Sequence, residues 1–139
     1  ILIDEPGGPY WKAWIRFFEE EMLSRGYVSR SDFDLFERVD SIEAAVEKIK
    51  HFYKRYHSLR YVEDRLVVRL LSPLEPDQVR NLLDRFKDML TPGGTMELAA
   101  ADKAEAGEEE IIRLPRLIVD FHRKDFGMLR NLIDAINAF

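Results

Sequence analysis

The chain has no cysteine, which excludes a disulfide framework, a thiolate zinc site and a cysteine nucleophile. Histidine is scarce, with only His51, His57 and His122. His51 and His57 do not share a helical face, and no H-E-x-x-H pattern occurs, so they read as surface or hydrogen-bonded structural residues and no metal site is expected. No apolar run reaches the roughly eighteen residues that a membrane-spanning helix needs, and no signal peptide is visible. A cytoplasmic protein with no membrane partner is the expectation. Positive charge is not in surplus either: 21 Lys and Arg stand against 26 Asp and Glu, a net charge of −5. That balance makes nucleic acid an unfavoured partner. An initiator methionine is also lacking. The chain opens on Ile1-Leu2-Ile3-Asp4-Glu5-Pro6, an apolar strand with no hairpin partner nearby, and reads as a C-terminal fragment cut inside a larger sheet.

What is present is globular in composition. The 139 residues are 46% apolar and 34% charged, enough for one ordinary domain or two small units sharing an interface. Ile1–Asp4 fits the last strand of a parallel sheet buried on both faces. After the Pro6-Gly7-Gly8-Pro9 turn, Trp11, Trp14, Ile15, Phe18 and Met22 recur at helical spacing, predicting a helix from Tyr10 to Arg25 that Gly26 ends. Leu35 to Val39 is a short strand candidate. Asp40-Ser41 caps a helix running to about His57, with Ile42, Ala45, Val46, Ile49, Phe52, Tyr53 and Tyr56 as its buried stripe. Arg65 to Leu71 alternates as a strand. Pro76 opens a helix carrying Val79, Leu82, Leu83, Phe86 and Leu90 on one side. Strands are predicted at Thr95–Ala100 and Arg116–His122, with a mobile acidic loop over 102–110 between them. A final helix from Asp125 shows Phe126, Leu129, Leu132, Ile133 and Ile136 on one face.

The fold class is therefore α/β (α+β): terminal strand and helix elements of a Rossmann-like unit over 1–57, then a small β-α-β-β-α domain over 58–139 with helices on an antiparallel sheet.

Motifs for chemistry are few. Pro6-Gly7-Gly8 lies between a strand and a helix, where backbone N–H groups can hold phosphate, but Pro9 lacks an N–H and no Gly-Lys-Ser/Thr or G-x-G-x-x-G follows. Pro92-Gly93-Gly94 has the opposite polarity and reads as a helix stop. Lys48, Lys50, Lys54, Arg55, Arg60 and Arg65 interleave with Phe52, Tyr53, Tyr56 and Tyr61. The aromatics fall on the core stripe and the cations on the solvated face, which favours structure over base stacking. Arg60, Tyr61 and Arg65 lie beyond the predicted helix and, with His57, form the candidate set for an anionic ligand. Acids such as Asp32, Asp34, Asp64, Asp120 and Asp125 show no spacing that singles out a catalytic pair. No catalytic residue is assigned.

Several phrases together resemble the C-terminal part of the LOG-type family of Rossmann-like proteins, also known under the label "possible lysine decarboxylase". They are ILIDEPGG at the start, Tyr10-Trp11-Lys12, Gly26-Tyr27-Val28-Ser29, Asp34-Leu35-Phe36, Val39-Asp40 and above all FYKRYHSLRYVEDRLVVRL from Phe52. In longer members such a phrase leads into an appended α+β domain, whose ending resembles Leu114-Pro115-Arg116-Leu117 through Asp134. The resemblance implies a parent enzyme that hydrolyses the N-glycosidic bond of nucleoside 5′-monophosphates, releasing base and ribose 5-phosphate, without a cofactor. Cytokinin ribotides are the best-known substrates. It also implies a homo-oligomeric parent and a nucleotide as substrate or effector. Catalysis in the family depends on a PGGxGTxxE loop and an upstream Arg. Neither Pro-Gly-Gly triplet of this chain continues into that motif, so the chain is expected to be the inactive C-terminal part of such an enzyme, with a structural, assembly or regulatory role. The alternative is a binding module for a nucleotide or other anionic effector.

Overall fold

A computed structural model describes residues 1–99 and 109–139. The first strand, β1 (Leu2–Ile3), pairs in parallel with β2 (Arg38–Val39), Leu2 opposite Arg38 and Ile3 opposite Val39. Between them runs α1 (Tyr10–Phe17), which continues as a π-helical turn over Phe18–Leu23. A 3-10 turn, Arg30–Leu35, follows, with Ser29 and Asp32 capping it reciprocally. Trp14 holds these pieces together: its ring stacks on Phe18 at 4.3 Å and meets Phe36 edge-on at 5.3 Å between centroids. The Ser41 hydroxyl accepts from the Ala44 N–H at 3.1 Å and caps α2 (Ile42–Phe52).

The second part is a four-stranded, wholly antiparallel sheet in the order β3-β4-β6-β5. Its strands are β3 (Tyr56–Val62), β4 (Arg65–Leu70), β5 (Met96–Ala99) and β6 (Arg116–Val119). Two helices cover one face: α3 (Pro76–Arg85), with proline in its first turn, and α5 (Phe126–Ala138), capped by Asp125. A short helix, α4 (Glu109–Ile112), precedes β6. Leu66, Val68 and Leu70 of β4, Leu117 and Val119 of β6, Phe121 just after it and Met96 of β5 meet Val79, Leu82 and Phe86 below and Leu129, Leu132, Ile133 and Ile136 beside them. This is one continuous core of alternate strand positions and helical stripes, the arrangement that two helices over one sheet require.

Helix α5 also binds the two parts to each other. A Cβ at Gly127 would stand 1.9 Å from the Ser31 carbonyl oxygen, so only glycine lets α5 lie against the 30–35 turn. Asn131 Nδ2 donates to Asp34 at 2.8 Å on the same side. Asn137, with no exposed surface, closes the corner between α2 and β3. Its side-chain oxygen accepts from the N–H groups of Arg55 at 2.9 Å and Tyr56 at 3.0 Å, and its amide donates to the Phe52 carbonyl at 2.6 Å.

The mixed α/β class and the helix-covered antiparallel sheet stand as read from the sequence. The details differ in several places. The helix expected to reach His57 stops at Phe52, because Asn137 takes the backbone groups that would continue it, and Tyr56–Val62 is an additional strand ahead of the predicted β-α-β-β-α order. The helix from Tyr10 is α-helical only to Phe17. The strand expected over 35–39 shrinks to Arg38–Val39, since Arg30–Leu35 is in the 3-10 turn. Most of the α2 stripe is not buried: Ala45 is, but Ile42, Val46, Ile49 and Tyr53 are exposed. Phe126 is exposed as well. Residues 102–108 of the expected acidic loop lie outside the described residues.

Candidate functional site

β3 and β4 form a hairpin closed by Glu63 and Asp64, with Glu63 in the left-handed region at φ 54°. A bulge interrupts the register between Tyr56 and Ser58. Bulges re-aim side chains, and here the effect is direct. Tyr56 faces the core, yet Leu59 and Tyr61, odd positions beyond the bulge, pack against the same core. Ser58, Arg60 and Val62 are thereby turned to the other face of the sheet.

The register assembles that other face row by row. Arg60 lies opposite Val67, Val67 opposite Ile118 and Ile118 opposite Glu97. In the next row Ser58 lies opposite Arg69, Arg69 opposite Arg116 and Arg116 opposite Ala99. Arg60, Arg65, Arg69 and Arg116 therefore share one side of the sheet, away from α3 and α5. Of these, Arg116 is fully buried and donates to the carbonyl oxygens of Leu114 and, at 2.9 Å, Ile111. It fastens α4 to the sheet.

The four residues singled out from the sequence separate. Arg65 is committed within the protein: its Nη2 lies 2.7 Å from Glu97 and its Nε donates to Asp120 at 2.9 Å. The Thr95 N–H donates to the second Asp120 oxygen at 3.0 Å. That backbone bond first, and the Arg65 guanidinium second, hold the Asp120 carboxyl below its ordinary range despite some burial. Tyr61 turns to the core side, where the Arg123 guanidinium lies 4.2 Å over its ring and its buried hydroxyl has no hydrogen-bond partner among the described residues. His57 and Arg60 stay on or beside the second face. His57 Nδ1 is 2.8 Å from the Ser58 hydroxyl, which also accepts from Arg69 Nη1 at 3.3 Å. Ser58 and Arg69, not in the original set, belong with His57 and Arg60. The alternation Arg65-Val67-Arg69 carried the signal for Arg69, but the facing strand was needed to show what it meets.

Arg69 is itself buried and bonds Ser58, which leaves the half-buried His57 imidazole, Ser58 hydroxyl and Arg60 guanidinium as the groups on this face whose chemistry suits an anion. The Pro6-Gly7-Gly8 turn cannot do so in the same way. Asp4 already fills the start of α1, accepting from the N–H groups of Glu5 at 3.2 Å and Trp11 at 3.4 Å, and a Cβ at Gly8 would stand 2.2 Å from its oxygen. A carboxylate there satisfies the helix start that a phosphate would otherwise use. Among the described residues no three His, Asp or Glu side chains come together as metal ligands, and no helix is long and apolar enough to cross a membrane.

Compared with protein-family models, curated proteins and solved structures, the chain matches none of them.

Proposed function

We propose that the chain is the non-catalytic part of a LOG-like nucleoside 5′-monophosphate N-glycosidase, with a structural, assembly or regulatory role. The observation that carries this reading is the β1-α1-β2 unit, a parallel strand pair set beside a separate antiparallel sheet. Parallel strands belong to larger sheets covered on both faces, and two strands alone are marginal. Asp4 at the start of α1 supports the same reading, because it leaves the phosphate-holding role to a PGGxGTxxE loop elsewhere in the enzyme. Release of ribose 5-phosphate from AMP tests it. The 139-residue chain is expected to release none, and a longer chain with that loop ahead of it to turn over. Activity of the short chain, or inactivity of the longer one, overturns the reading.

A second reading, a module for a nucleotide or other anionic effector, is favoured by the half-buried cluster of His57, Ser58 and Arg60, with the buried Arg69 bonding Ser58. Calorimetric titration with AMP and with inorganic phosphate distinguishes it. Binding should weaken in Arg60→Ala, while Arg65→Ala should lower stability more than affinity. Affinity unchanged in Arg60→Ala refutes the module.

A further inference from the structure

Helix α2 and Tyr53, the residue that caps its end, carry Ile42, Val46, Ile49 and Tyr53 itself at intervals of four, three and four residues. That is the spacing of the apolar seam between two paired helices. All four face solvent, at 70%, 41%, 49% and 51% exposure respectively, while Ala45 on the flank beside them is buried. Single exposed apolar residues are ordinary, but a contiguous seam is an interaction surface.

The charges beside the seam identify what covers it. Glu43 follows Ile42 and Lys50 follows Ile49, so the two occupy the same flank, one heptad apart. Lay a second α2 antiparallel across a twofold axis between Glu47 and Lys48. Val46 then meets Ile49 of the second copy, Ile42 meets Tyr53, and Glu43 of each copy faces Lys50 of the other. A parallel arrangement sets that flank against Ala45 and Phe52, where no charge answers it. Lys50 bonds Glu47 in its own helix at 2.9 Å, but both side chains are about 70% exposed, and such surface pairs hold little.

We infer that α2 is a self-association face through which two copies of this chain pair antiparallel, with Glu43 and Lys50 exchanged across the axis. The pairing rests on the α2 seam alone, so its failure leaves the glycosidase reading untouched. One short seam lies at or below the roughly 1,200 Å² of the smallest stable interfaces, so the dimer is weak and concentration-dependent. As an isologous contact it closes at two copies.

Sedimentation equilibrium from micromolar to millimolar concentration tests the pairing. The unaltered chain is expected to approach twice its monomer mass at the upper end. Val46→Glu, at a solvent-facing position, should stay monomeric with an unchanged circular dichroism spectrum. Glu43→Lys and Lys50→Glu should each weaken the dimer by about tenfold, through two like-charge contacts per dimer. The double reversal should restore it, and so should an equimolar mixture of the two single variants, in which every facing pair is again opposite. A chain monomeric at millimolar concentration, or a dimer indifferent to these reversals, overturns the inference.

Discussion

Replacing Asn137 by alanine removes a side chain that is wholly buried and makes three bonds to the backbone of one corner. Its oxygen serves the N–H groups of Arg55 and Tyr56, and its amide serves the Phe52 carbonyl. No water replaces a side chain in a closed corner without rearrangement, so the change leaves up to three backbone groups unpaired. Each such group costs about 1–3 kcal/mol. Allowing for relaxation, the loss should be about 3–5 kcal/mol, a large share of the roughly 5–15 kcal/mol that stabilises an ordinary domain. Urea unfolding reads this as a lower midpoint with an unchanged slope, and hydrogen exchange should accelerate selectively at the amides of Arg55 and Tyr56. Asn137→Asp keeps both acceptor bonds but sets a carboxylate against the Phe52 carbonyl, and should fall at least as far near neutral pH. A loss below about 1 kcal/mol in Asn137→Ala, with exchange at Arg55 and Tyr56 unaltered, would show that the corner holds itself and that the helix ends at Phe52 for another reason.

Gly127→Ala drives a methyl into the Ser31 carbonyl, a backbone atom that cannot swing aside, so α5 must lift from the 30–35 turn. A loss of about 2–4 kcal/mol is expected in thermal unfolding, against a few tenths for Ala138→Gly at the exposed end of the same helix. Asp120 is held below its ordinary pKa of 3.8 by Thr95 and Arg65, so the unfolded chain takes up its proton first as pH falls. The stability it contributes is complete above that unfolded value and is lost as pH drops through the lower folded one. Urea midpoints measured from neutral pH down through that window should decline in the unaltered chain and decline less in Asp120→Asn. Finally, the continuous core lies wholly between Tyr56 and Ile136, whereas residues 1–40 supply only Val39 to the buried hydrophobic set. A piece spanning 41–139 is expected to unfold cooperatively by circular dichroism and a piece spanning 1–40 not to. A cooperative transition in the short piece would refute that division of the core.

The parts legible in the sequence are those whose periodicity nothing disturbs. Leu66, Val68 and Leu70 alternate without a break, as do Leu117, Val119 and Phe121, and each set faces the core. Leu129, Leu132, Ile133 and Ile136 keep helical spacing through α5 and are buried together. β3 was hidden by two coincidences. Phe52, Tyr53 and Tyr56 satisfy helical spacing as well as anything else, and the bulge after Tyr56 moves the inward positions from even to odd, which erases the two-residue alternation. What stops the helix at Phe52 is an asparagine 85 residues further on, information that no local window contains.

The same distance effect explains the candidate site and α2. Arg65 looks available among other cations in the sequence, yet its partner Asp120 comes from 55 residues away, and only the folded sheet sets them side by side. Ser58 and Arg69 are 11 residues apart and become neighbours only because a two-residue turn folds β3 onto β4. For α2, spacing reveals that a helix has an apolar stripe but not which surface covers it. Within this chain the helix meets its own protein through a narrow strip around Ala45 and Phe52, leaving the wider seam outward. The charges at Glu43 and Lys50 make the exposed seam more than a hydrophobic remainder, because their placement favours one orientation of a second copy over the other.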